Sequence, residues 1–150
     1  MSDHNPCRES LFNVESLRAA YLATAYQVDD APGGPFVIRI GERSEPLDRL
    51  LETLRCSSWI YITACNPYSR PLDADENRRR MLQLEARLWK LNCRVFRGQG
   101  VGDDRHWPPE PSLLAVGLSE SDGRLLGREF HQCAFVAGRR GEPAELVWLG

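Results

Sequence analysis

Apolar residues recur along this chain in two alternating patterns, which together predict a sheet with helices packed on it. At helical spacing, Leu17, Tyr21, Ala25 and Val28 mark a helix between Asn13 and Val28. Leu47, Leu50, Leu51 and Leu54 form the buried stripe of a second helix, opened by Ser44-Glu-Pro46 with proline in the first turn. Asp73, with Glu76 three residues on, starts a third helix, whose stripe is Met81, Leu84, Leu88 and Leu91. Arg78, Arg79 and Arg80 begin its solvated side. Ser119 caps a fourth helix that runs to Phe130 and turns Leu125, Leu126 and Phe130 inward. Between the helices lie β-prone runs at 36–40, 58–65, 93–97, 112–118, 133–137 and 144–149, the last two joined as a hairpin. The run at 58–65 is apolar on both faces, as in a central strand. Gly98 to Pro111 is rich in Gly, Asp and Pro and reads as a long loop.

The expected fold is α/β (α+β): one mixed β-sheet of about six strands with helices packed on it. A flexible N-terminal tail, 1–12, precedes a single domain, 13–150. Two βαβ crossovers, 58–97 and 112–137, each predict strands running in the same direction. The helix-free connection 98–111 predicts an antiparallel return. That topology carries the ends of several segments to one sheet edge. Asn66, Ser69, Asn77, Trp107, Glu110, Ser112 and Gln132 are expected to converge there.

The most informative stretch is the stop of the central strand. Ser58-Trp-Ile-Tyr-Ile-Thr-Ala-Cys65 ends at Asn66-Pro67, and a polar elbow, Tyr68-Ser-Arg-Pro-Leu72, leads into the third helix. A buried strand that delivers amides and hydroxyls to a sheet edge is a natural place for a ligand. Asn77 is either a tie within this elbow or a ligand contact. Glu110, between Pro109 and Pro111 and near Trp107, is either an acid or base of raised pKa or a brace for the loop before it.

Composition narrows the function classes. The net charge is −2, so no basic field draws the chain to nucleic acid. No run of 18 apolar residues offers a membrane span, and the first residues lack a secretory pattern, so cytoplasm is the expected compartment. Five cysteines, an odd number without a CxxC pair, argue against a disulfide framework and against a zinc site. Arg70 and Arg78 at the third helix suggest a phosphate site, but Asp73, Asp75 and Glu76 already occupy that end. Gly98-Gln-Gly-Val-Gly102 lacks dinucleotide-fingerprint spacing. Asp103, Asp104, His106 and Glu110 read as a solvated polar loop, and His131 with Cys133 is too few ligands, so no metal is expected. No Ser or Cys has the setting of a nucleophile. No cofactor is indicated.

Four segments together resemble a family of small bacterial proteins described as a domain of unknown function: Tyr61-Ile-Thr-Ala-Cys-Asn-Pro-Tyr-Ser69, Glu76-Asn77, Trp107-Pro-Pro-Glu-Pro-Ser112 with its apolar continuation to Ser119, and Leu126 to Gln132. The resemblance spans residues 20–148. It implies that the polar set Asn66, Ser69, Asn77, Trp107, Glu110, Ser112 and Gln132 forms the site, and it carries no established activity. The family pattern has an aromatic at position 65, Gly at 131 and Asn at 133, where this chain has Cys65, His131 and Cys133. The expectation is therefore a small polar ligand bound at one sheet edge. Glu110 would supply charge or a general base, Asn66, Asn77 and Gln132 would orient the ligand by amide hydrogen bonds, and Trp107 would form an apolar wall. The alternative is a non-enzymatic protein-interaction module in which the same cluster is structural.

Overall fold

The computed structural model describes Cys7, residues 14–103 and residues 107–150. Its elements, in chain order, are α1 (Val14–Leu22), β1 (Ala25–Val28), β2 (Phe36–Ile38), α2 (Glu45–Leu54), β3 (Ser58–Ile62), a 3-10 turn (Pro67–Ser69), α3 (Ala74–Lys90), β4 (Arg94–Val101), β5 (Glu110–Val116), α4 (Glu120–Glu129), β6 (Ala134–Arg139) and β7 (Glu145–Trp148). The α+β class holds. The sheet has seven strands in the order β2-β1-β4-β5-β3-β6-β7.

Local chemistry sets the helix starts. The Ser44 hydroxyl accepts from Leu47 N, and the Asp73 carboxylate accepts from Glu76 N. Ser119 and Asp122 form a reciprocal capping box. β3 alternates between two cores. Ile60 and Ile62 pack with Leu84 and Leu88 of α3 and Leu126 of α4, whereas Trp59 and Tyr61 pack with Leu47 and Leu51 of α2. Burial on both faces explains the unbroken apolar run.

Every ladder between named strands is antiparallel. β3 and β4 run in the same direction, as the crossover through α3 requires, but β5 lies between them and pairs with both. β5 and β6 are likewise co-directional, with β3 inserted. Crossover sense is fixed locally; which strand fills the gap is not. Beyond β2, Ile40 forms an isolated bridge to Ala144, just before β7, so the sheet curls until its two edges nearly meet. This shields backbone groups that free edges would expose.

Several expectations change. Ala25 and Val28 belong to a strand, not to the first helix: Tyr26 and Val28 alternate inward, and pairing with both β2 and β4 outweighs the helical spacing. Gly98 to Val101 is strand, not loop. A Cβ at Gly98 would lie 1.8 Å from Gln27 O, so glycine there permits close strand approach. Leu125 is 69% exposed and Leu91 40%, each displaced from the buried stripe of its helix. Arg80 turns inward instead of into solvent: its Nε donates to Ala64 O and its Nη2 to Phe130 O. Cys7 and Cys133 form a disulfide across 126 positions. That pairing departs from the expectation of unpaired cysteines, because only the fold brings so distant a pair together. It also anchors position 7 of the segment expected to be a tail.

Gly98→Ala should therefore destabilise the fold by about 2–4 kcal/mol in urea denaturation. Gly33→Ala, where a Cβ meets nothing within 4 Å, should change it by less than about 0.5 kcal/mol.

Candidate functional site

The elbow after β3 is strained and heavily braced. Asn66, Tyr68 and Ser69 all have positive φ, at 49°, 53° and 60°. Such residues cost on the order of 1–3 kcal/mol each unless their surroundings fix them. The brace is a reciprocal amide pair. Asn77 Oδ1 accepts from Asn66 N at 2.9 Å, and Asn77 Nδ2 donates to Asn66 Oδ1 at 2.9 Å. Asn66 Oδ1 also accepts from Leu72 N. Tyr68 N donates to His131 O, and the Tyr68 ring stacks on His131. Arg80 clamps the backbone on both sides, at Ala64 and Phe130. With its acceptor and one backbone N–H committed, Asn66 points its remaining donor, Nδ2, at Glu110 Oε2, 3.2 Å away.

Glu110 opens β5, held by the ladder that pairs it with Gly100. It borders a cavity of about 450 Å³. The roof comes from Ala19 and Ala20 of α1 and from Ala23 just past its end, whose small side chains leave the space open. The floor is the sheet, with Tyr26, Tyr61, Ser112 and Val136. Asn66, Ser69, Trp107 and Gln132 close one end beside Glu110. The cavity thus lies across the α1 side of the sheet as well as at the strand ends where an edge site was expected. α1 itself buries only Leu17, which sits in a small cluster with Cys7 and Cys133.

Loss of solvent around the Glu110 carboxyl pushes its pKa up to about 7, although hydrogen bonds from Asn66 and Trp107 and the nearby Thr63 hydroxyl pull it down. No described side chain forms an ion pair with it. The Tyr21, Tyr26 and Tyr61 phenols are raised chiefly by burial, with the Glu110 charge adding to each. Burial likewise pushes the Cys65 thiol up to about 11, so it is a packed hydrophobe and not a thiolate nucleophile.

Of the residues expected at the site, Asn66, Ser69, Trp107, Glu110, Ser112 and Gln132 line the cavity. Asn77 does not; all its hydrogen bonds serve the elbow. Gln132 donates through Nε2 to Cys65 O and Phe130 O, which fixes its amide. His131 has φ 56°, a left-handed conformation that glycine adopts most readily. Asp104 and His106, weighed as metal ligands, lie outside the described residues. Among the described residues no cluster of His, Cys, Asp and Glu suits a metal. Tyr21, Tyr26, Tyr61 and the α1 alanines are lining residues that motif reading missed. Their only sequence signal is three tyrosines and three alanines at core-like positions, which any packed core shares.

A family model described as Protein of unknown function (DUF3293) matches residues 62–135. Over that segment the chain is similar to a domain-of-unknown-function family. The match takes in the elbow, α3, β4, β5 and α4 but not α1, so it covers the braced end of the cavity and leaves out the roof. No curated protein and no solved structure matches the chain.

Two measurements probe this arrangement. Asn77→Ala strips the elbow of its partner and should cost about 2–4 kcal/mol in thermal or urea denaturation. Glu110 has its pKa raised by folding from 4.5 to about 7. The folded state therefore holds a proton that the unfolded chain has already released. The resulting stability is complete below about pH 4.5 and is lost as the pH rises through 7, a change of about 3 kcal/mol. Glu110→Gln should flatten that part of the stability–pH curve, and carbon-detected NMR of Glu110 should report the titration midpoint directly.

Proposed function

We propose that this protein binds a small ligand in the cavity beneath α1, with Glu110 as its polar anchor. The observation that carries this reading is a desolvated carboxylate, without a described ionic partner, facing about 450 Å³ of space. An isolated buried charge is costly and is normally paired or neutralised. Here it is kept beside a cavity, with Asn66, Ser112 and Gln132 gathered around it. A volume of this size suits a small organic molecule, and the walls combine apolar surface with a few polar groups, as ligand sites do. A carboxyl titrating near neutrality also suits proton transfer, so Glu110 is the residue that would act as general base if the bound ligand reacts.

The interaction-module reading draws support from the elbow alone. Asn66 Oδ1 and both polar groups of the Asn77 amide are consumed internally, as a purely structural network would require. It leaves the cavity without a role.

Ala20→Phe separates the two readings. Ala20 lines the cavity from an exposed helix face, so the larger ring fills the space without disturbing the core. A fragment screen followed by amide NMR should perturb Tyr61, Ser112 and Gln132 in the native chain. The same fragments should leave Ala20→Phe unchanged, at an almost unaltered melting temperature. Perturbations that persist in Ala20→Phe, or that never fall on the cavity, would favour the module.

A further inference from the structure

The geometry points to the class of ligand: we infer that the cavity takes an organic ammonium ion or protonated amine carried on an apolar, preferably aromatic, body. This inference rests on the ligand-binding reading above and specifies it.

The hydrogen-bond inventory of the walls leads there. A backbone carbonyl can only accept, so any hydroxyl bonded to one must donate its single hydrogen to it. Tyr61 Oη gives its hydrogen to Gln27 O at 2.6 Å, and Tyr26 Oη gives its hydrogen to Tyr21 O at 2.7 Å. Thr63 Oγ1 donates to Pro111 O, Ser112 Oγ to Glu110 O, and Thr24 Oγ1 to Ala20 O. The amides behave alike. Gln132 Nε2 donates to Cys65 O and Phe130 O, and Asn66 Nδ2 to Glu110 Oε2. The hydroxyl hydrogens and the Gln132 amide are thus spent on protein carbonyls, and one Asn66 amide hydrogen on the Glu110 carboxylate. Besides the second Asn66 amide hydrogen, what the same residues still offer is lone pairs: the hydroxyl oxygens, Gln132 Oε1 and the Glu110 carboxylate. Acceptors outnumber donors among these groups, which favours a ligand that donates.

Charge selects further. Asp103 and Glu110 are the ionisable acids among the described lining residues, and no Lys, Arg or His is among them. Elsewhere carboxylates are answered by arginines: Glu129 by Arg87, Glu85 by Arg97, Asp48 by Arg43. Glu110 is not. A phosphate or carboxylate ligand would meet repulsion without a counter-charge, whereas an ammonium would supply the missing partner. The rings of Tyr21, Tyr26, Tyr61 and Trp107 suit the same guest, since an aromatic face attracts a cation and an aromatic edge packs an apolar body.

The test uses the full-length chain and three matched series titrated by calorimetry and amide NMR at pH 8. These are phenylalkylamines, phenylalkanols and phenylalkanoates, each with linkers of one to four carbons. The amines should bind at least tenfold more tightly than the alcohols of equal length, with shifts at Tyr61, Ser112 and Gln132, and the alkanoates should not bind. In Glu110→Gln the amine advantage should collapse to the alcohol level while alcohol binding persists. Alcohols or alkanoates that match the amines would overturn the ammonium assignment and leave the cavity reading intact. An amine preference that survives Glu110→Gln would also overturn it. Failure of all three series to perturb the cavity residues would overturn both readings.

Discussion

The amide pair between Asn66 and Asn77 is the contact on which the site depends. It joins the elbow that follows β3 to the first turn of α3, using two hydrogen bonds of 2.9 Å. Without it, nothing obliges Asn66 to hold a left-handed conformation, and the positive-φ residues that follow at 68 and 69 would relax. With it, the last free donor of Asn66 is aimed at Glu110. A structural bond between two neutral side chains thereby decides where the one desolvated carboxylate of the cavity sits.

The strain is local, and the support comes from far along the chain. Arg80 on α3 grips Ala64 and Phe130, and Tyr68 leans on His131, so the elbow is bound to the entry of β6. Cys133 at that same entry is bonded to Cys7, beside which Leu17 seats α1. The floor, closed end and roof of the cavity are therefore mechanically joined through a few residues around 130–133.

Much was legible in the chain itself. The four helices are specified by capping residues and stripes that act within a few positions, and Ser44, Asp73 and Ser119 each cap as their neighbours demand. The break at Asn66-Pro67 marked the elbow. The co-direction of β3 with β4 and of β5 with β6 followed from their helical connections, and that was enough to gather Asn66, Glu110, Ser112 and Gln132 at one end. Ala25 and Val28 were misread because their spacing continues the helical one of Leu17 and Tyr21, and only the partners β2 and β4 decide for a strand.

What the sequence alone determined was whatever depends on near neighbours: the capped starts of the later helices, the turn chemistry of the elbow, and the direction of each crossover. The tertiary structure decided everything that depends on distant ones. It inserted β5 between β3 and β4, paired Cys7 with Cys133, turned Arg80 inward, and laid Ala19 and Ala20 of α1 over Tyr26 and Tyr61 of the sheet to leave a cavity. It also fixed the direction of each hydroxyl hydrogen, because a donor is committed only when a particular carbonyl, often dozens of residues away, arrives within reach. Local forces write periodicity into a sequence; the raised pKa of Glu110 arises only when remote segments exclude water together.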